Sequence, residues 1–225
     1  MIAQLEQHNS AGQPRDDAAV APEIEFIVDL VDEGSQVLDL GCGEGNLLKA
    51  LQSRKRCRAQ GIDLSEECIQ VCVSKGLFVY HGDLDEGLAD FNDQSVDYVI
   101  STNTLQVLHR PGDLMREMAR VGKRCIVSVP NFGFWSVRAQ LFFKGRMPKT
   151  SRIPYEWYNS PNIHHTTISD FRDLCNAVGL RVLKEIPLRT GDDGTYGRVR
   201  LFPNLLADYV IFLVERASNE SKPST

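Results

Sequence analysis

The sequence has no long hydrophobic run. Its longest uninterrupted apolar stretch, Tyr209–Val214, is six residues, where a bilayer-spanning helix needs about 20. No basic segment followed by an apolar one opens the chain, so no secretory signal is visible. A basic surplus is also missing. Lys and Arg number 25 against 30 Asp and Glu, a formal charge of −5, which weighs against nucleic acid as the main partner. The six cysteines, at 42, 57, 68, 72, 125 and 175, include no C-x-x-C pair. Cys68 and Cys72 share a helical face, but no His lies nearby to complete a zinc set. They read as small buried apolar residues, and no metal is expected. Free thiols without a signal segment point to a cytoplasmic protein.

What is present is ordinary for a folded chain: 225 residues, 42% hydrophobic and 24% charged. A chain of this size buries roughly 70% of its unfolded surface, enough for a core without disulfides. Residues 1–20 read as a flexible polar leader and 218–225 as a polar tail, leaving one domain over 21–217. Within it, short apolar strands alternate with amphipathic helices. Strands are expected at Val37–Leu40, Ala59–Ile62, Leu77–Tyr80, Val96–Ser101, Ile126–Val129, Leu180–Pro187 and Asp208–Arg216. Helical spacing covers Glu23–Asp32, Leu47–Leu51, Ser65–Lys75, Asp113–Val121 and Ser169–Ala177. The pattern predicts an α/β fold with a doubly wound, mostly parallel seven-stranded sheet. The last two strands have no obvious helix between them, which suggests an antiparallel hairpin at the sheet edge. In such sheets ligands bind beyond the carboxyl ends of the strands, where strand order reverses.

The first strand runs into Asp39-Leu40-Gly41-Cys42-Gly43-Glu44-Gly45-Asn46. Glycines at alternate positions permit a sharp turn and close approach of a ligand. The spacing is not the G-x-G-x-x-G of dinucleotide sites, and Asp39 and Glu44 would repel a pyrophosphate. A cationic ligand without phosphate fits better. The second strand ends at Asp63, about 20 residues past the loop, where an acid can accept from both ribose hydroxyls. The third leads into Gly82-Asp83-Leu84, placing an acceptor for an exocyclic amine beside an apolar cover for a ring.

Val37–Asn46, with Asp63 and Asp83 at the next two strand ends, resembles the cofactor motifs of class I S-adenosylmethionine-dependent methyltransferases. The resemblance implies their Rossmann-like fold, with the last strand antiparallel. It also implies S-adenosylmethionine or S-adenosylhomocysteine bound through Asp39, Gly41, Gly43, Asp63, Asp83 and Leu84. Further segments narrow it: Gly82–Leu88, Asn103–Gln106, Val129–Gly133, Gly145–Pro148, Pro154–Tyr158 and Pro161–His164 are similar to the MetW family of methionine-biosynthesis proteins. That similarity runs from about Val31 to Arg216. It implies a methyltransferase-like protein that supports a homoserine O-acyltransferase in bacterial methionine synthesis. A free-standing methyltransferase acting on a small molecule is the alternative.

Methyl transfer would need a positioned nucleophile and a proton acceptor. His109, Asn131, Tyr158, His164 and His165 follow the later strands, with His109, Tyr158 and His164 as catalytic candidates, but no acid–base pair is recognisable among them. Ser101-Thr102-Asn103-Thr104 stands where amine methyltransferases carry Asn-Pro-Pro-Tyr, which disfavours DNA or protein amides as acceptors. The segment 132–158 carries eight of the 18 aromatic residues, both tryptophans, five basic residues and no acid before Glu156. Phe134, Val137, Leu141 and Phe142 are expected on one helix face. Such a segment is either a helix packed over the sheet, a substrate lid or a docking surface for the acyltransferase.

Overall fold

The computed structural model describes residues 22–191 and 194–217; the leader expected over 1–20 and the tail over 218–225 lie outside them. The elements run α1 (Pro22–Val28), β1 (Gln36–Leu40), α2 (Asn46–Lys55), β2 (Arg58–Asp63), α3 (Glu66–Ser74), β3 (Phe78–His81), β4 (Val96–Thr102), α4 (Pro111–Val121), β5 (Gly122–Pro130), α5 (Trp135–Lys144), α6 (Ile168–Ala177), β6 (Leu180–Thr190), β7 (Tyr196–Arg198), α7 (Pro203–Leu206) and β8 (Tyr209–Arg216). They build one sheet of order β3-β2-β1-β4-β5-β8-β6-β7. Strands β1 to β5 pair in parallel, whereas β8 is antiparallel to both β5 and β6. This is the expected α/β sheet with an antiparallel last strand.

Three expectations change. The sheet has eight strands, because β7 pairs with the end of β6; three residues carry too little pattern to read as a strand. The final strand does not sit at the edge but between β5 and β6. Its apolar run from Tyr209 to Phe212 is wholly buried, as a strand covered on both faces should be. The first helix is also shorter than its apolar spacing suggests. After Val28 the chain tightens into three-residue turns, with Leu30 N–H on Ile27 O and Val31 N–H on Val28 O.

Strand alternation divides the core into two layers. Leu38, Leu40, Val99, Val127 and Phe212 pack under α4 and α6. Val37, Tyr98, Ile100, Ile126, Tyr209 and Ile211 pack under α1 and α2. Asp39, two residues after Val37, therefore points to the α1 and α2 face. Strand order reverses between β1 and β4, the place a ligand is expected.

Two local devices fix the flanking helices. Ser65 caps α3 by accepting from Cys68 N–H. Thr167 and Asp170 close a reciprocal capping box at α6.

Candidate functional site

The glycine loop is held in a shape that only glycine adopts readily. Gly41, Gly43 and Gly45 all have positive φ, at 71°, 52° and 76°. At Gly41 space is also lacking: a Cβ would fall 2.5 Å from Thr104 Oγ1. That hydroxyl donates to the carbonyls of Leu40 and Thr102, tying the β4 exit to β1.

Asp63 ends β2 and joins the loop. Its Oδ2 accepts from Gly43 N–H at 2.7 Å and its Oδ1 from Ser65 N–H at 2.9 Å. Each carboxylate oxygen has a second lone pair, so both can still accept from a ligand. Asp83 accepts from Asp85 N–H at 2.9 Å and starts a short 3-10 turn over 84–86. Leu84, expected to cover a ring, is buried in the core with only its edge on the cleft.

Two clefts meet at Gly41 and Asn103. The larger, of about 450 Å³, is lined by Asp63, Asp83, Leu84, Thr104, Val107 and His109. The smaller, of about 230 Å³, is lined by Glu23, Ile27, Asp39, Gly43, Glu44 and Asn46. The six residues expected at a cofactor are thus brought to one place. Sequence reasoning gave Asn103 no role there. Its φ of 55° is a left-handed conformation that Asn tolerates better than most residues. Glu23 was missed as well, because nothing in a helical pattern says which acid faces a cleft.

Asp39 is the most unusual group. It is 1% exposed, and its Oδ1 has no hydrogen-bond partner among the described residues. Burial, followed by the charge of Asp63, pushes its carboxyl up to about 7. An orphaned buried oxygen bordering an acidic cleft suits a cationic ligand.

The catalytic candidates separate. His109 lies on the rim of the larger cleft, with Nδ1 2.9 Å from Asp85 Oδ2, and Asp85 also accepts from His109 N–H. This pairing supplies the carboxylate–imidazole set that the sequence did not reveal, and it holds the Asp85 carboxyl below its usual range. Tyr158 and His164 line neither cleft. Tyr158 is exposed beside Trp157, and His164 gives its N–H to Gln106 O at 3.0 Å. Asn131 is a stitch: its amide donates to Ala207 and Asn204 carbonyls and accepts from Gly133 and Ile168. His165 stacks on Phe132, with ring centres 4.1 Å apart.

In segment 132–158, Phe134 and Val137 are buried, packed with Ile153 and Phe132 in a small cluster separate from the two layers of the sheet. Leu141 and Phe142 are not; Phe142 is 83% exposed, with Phe143 and Trp157 exposed as well. The local cluster covers the start of α5 but not its last turns, so one apolar face does not mean one covered face.

A family model described as methionine biosynthesis protein MetW matches residues 21–214. The chain belongs to the MetW family. It is 35% identical over 201 residues to the bifunctional methionine biosynthesis protein MetXA/MetW of Rhodopirellula baltica, covering 85% of this chain and 32% of that protein. It therefore spans about a third of that relative's length.

Solved structures share the fold. An S-adenosylmethionine-dependent methyltransferase from Archaeoglobus fulgidus aligns with a TM-score of 0.66 at 16% identity, over 88% of this chain and 93% of that one. Another from Mesorhizobium loti gives 0.65 at 18%, over 89% and 99%. The [4+2]-cyclase SpnF gives 0.62 at 13%, over 87% and 80%. A MetW-family chain thus has a fold that carries more than one chemistry, and its activity has to be argued from the site.

Proposed function

We propose that this chain is a cytoplasmic protein of bacterial methionine synthesis that binds S-adenosylmethionine, or S-adenosylhomocysteine, and supports a homoserine O-acyltransferase. The observation that carries the cofactor half is Asp39, buried with an oxygen that has no hydrogen-bond partner among the described residues, beside a cleft that also presents Glu23 and Glu44. Three carboxylates favour a sulfonium and an ammonium and disfavour phosphate. In this reading Gly41 and Gly43 give the backbone close approach, Asp63 accepts from the ribose hydroxyls, and Asp83 with the edge of Leu84 receives the adenine. The bound cofactor supplies an activated methyl group.

The acyltransferase half is supported by the relative whose name joins MetXA to MetW in one chain. Fusion keeps two associating parts at high effective concentration. The surface that suits such a partner is 132–158. Phe142 and Phe143 form one exposed ring pair and Trp157 and Tyr158 another, and a groove of about 580 Å³ runs between Arg146, Met147, Tyr155 and Trp157. Exposed aromatic groups grouped in this way mark interaction sites rather than bare surface. Size-exclusion chromatography of the chain mixed with its own organism's homoserine O-acyltransferase tests the proposal. A joint peak is expected; separate elution at micromolar concentration would contradict it.

The alternative is a free-standing methyltransferase for a small acceptor. One observation favours it, the Asp85-oriented His109 on the rim of the larger cleft, which places a proton acceptor near a ligand.

A further inference from the structure

We propose that Leu201 and Phe202, at the start of α7, are an apolar anchor for the homoserine O-acyltransferase, seated in an apolar pocket with an acidic rim on that partner. The inference rests on the partner reading above and extends the docking surface from 132–158 to a second segment, 198–206.

Phe202 is held in a conformation that its side chain disfavours. Its φ of 47° and ψ of 53° are left-handed, a region that bulky residues avoid and glycine enters freely. Pro203 follows it, and a residue before proline is normally pushed to extended backbone. Nothing in the fold offsets this. Phe202 is 74% exposed and Leu201 71% exposed, and neither belongs to a core cluster. The backbone around the pair is nevertheless fixed. Phe202 O accepts from the N–H groups of Leu205 and Leu206, both at 2.9 Å, and Val199 N–H donates to Pro187 O. Asn204 accepts from Asn131 Nδ2 on its carbonyl and from Ile168 N–H on its side chain. Two large apolar side chains thus stand in solvent on a firm, strained turn, which points to binding rather than folding.

The turn adjoins α5. Arg138 Nη2 lies 3.5 Å from Asn204 O, and a Cβ at Gly133 would fall 2.7 Å from the same oxygen. Arg138 shares a helix face with Trp135, Leu141 and Phe142 at three- and four-residue spacing, and all three are exposed. Charge then selects the occupant. Lys149 is paired with Glu156 and Arg152 with Glu23, but Lys144, Arg146, Arg198 and Arg200 are exposed and in no ion pair among the described residues. The face is basic on a chain whose formal charge is −5. Two copies meeting through it would set like charges together, which disfavours self-pairing. No residue of 198–206 lines either cleft at the glycine loop, so the turn does not cover a ligand there. An apolar pocket with an acidic rim fits it. The relative whose name joins MetXA to MetW is the reason to place that pocket on the acyltransferase.

Titration of the full chain with its own organism's homoserine O-acyltransferase, alongside a melting curve, tests this. Phe202→Gly removes the ring and relaxes the turn. It should weaken binding about 10- to 30-fold, as for loss of one interface aromatic, with a melting temperature equal to or above that of wild type. Leu201→Ser should also weaken binding, and Arg200→Glu should weaken it most at low salt. Affinity for S-adenosylhomocysteine should be unchanged in all three. Wild-type partner affinity in Phe202→Gly would overturn the anchor, as would a lowered melting temperature, which would show the ring packed within its own chain. Wild-type affinity of Arg200→Glu at low salt would overturn the acidic rim. Weakened binding by Trp135→Asp with none by Phe202→Gly would overturn the anchor and leave the partner reading standing. Failure of the wild type to bind the acyltransferase would remove both.

Discussion

Gly43 donates its backbone N–H to Asp63 Oδ2 at 2.7 Å, so the glycine loop and the end of β2 are one unit. The carboxylate fixes the loop's shape before any ligand arrives. The loop in turn holds the carboxylate at the mouth of the larger cleft.

Loop shape makes the glycines unequal. Gly41→Ala forces a left-handed alanine, at about 1–2 kcal/mol, and also drives a methyl group against Thr104. Gly43→Ala carries the conformational cost alone, because nothing lies within 4 Å of its Cβ position. Urea denaturation should find Gly41→Ala less stable than Gly43→Ala by about 1 kcal/mol or more. Equal stabilities would contradict the Thr104 contact.

Asp39 gives a pH dependence of definite sign. Its folded-state carboxyl titrates at about 7, well above the ordinary value of 3.8. Between those values the folded chain holds a proton that the unfolded chain has released. Asp39 therefore lowers stability as pH rises from about 4 to 7, and adds no further change above that. Glu25, Asp85, Asp97 and Glu117 are shifted the other way by their partners, and they are common to wild type and variant. Denaturation of wild type and Asp39→Asn at pH 5 and pH 7.5 isolates the difference. The wild type should lose stability relative to the variant at the higher pH; parallel changes would show that Asp39 is ionised throughout.

Trp135 opens α5 at 45% exposure, edge-on to Phe134. It is too exposed to be a core anchor, so Trp135→Asp should fold with a melting temperature close to wild type. An interface aromatic supplies about 2 kcal/mol or more, and a charge in its place adds a desolvation cost. Binding to homoserine O-acyltransferase should weaken roughly 30-fold or more, with cofactor affinity unchanged. Unchanged binding by Trp135→Asp and by charge substitutions at Phe142 and Trp157 would exclude this face.

Labelled S-adenosylmethionine incubated with a small-molecule extract separates the two functional readings. The supporting role predicts no defined labelled product. A single product that disappears in His109→Gln would favour a free-standing enzyme, with His109 positioned by Asp85.

The strand ends were legible in the sequence because short apolar strands announce where they stop. Asp39 lies one residue before the end of β1, Asp63 closes β2 and Asp83 follows β3, and the sheet brings these strand ends together. Chain order was less informative about the far side of the sheet. The hydrophobicity of β8 shows that it is buried, but not that it is inserted between β5 and β6. Arg152 and Glu23 are 129 residues apart, and no periodicity links them. Asp85 and His109 meet because two loops converge over the larger cleft, a relation that local spacing does not carry. Leu84 looked like a ring cover because it follows Asp83; the 3-10 turn rotates most of it into the core.

The central claim is that the acidic, glycine-lined cleft binds S-adenosylmethionine, and calorimetric titration of wild type and Asp63→Ala tests it most directly. Removing charge-assisted hydrogen bonds of about 1.5–3 kcal/mol each should weaken binding roughly 10- to 1000-fold. A melting curve would show whether the loop that Asp63 anchors is still folded. Saturable one-to-one binding by the wild type, with that loss in a folded variant, is the predicted result. No heat of binding in the wild type, or equal affinity in the two proteins, would contradict the account.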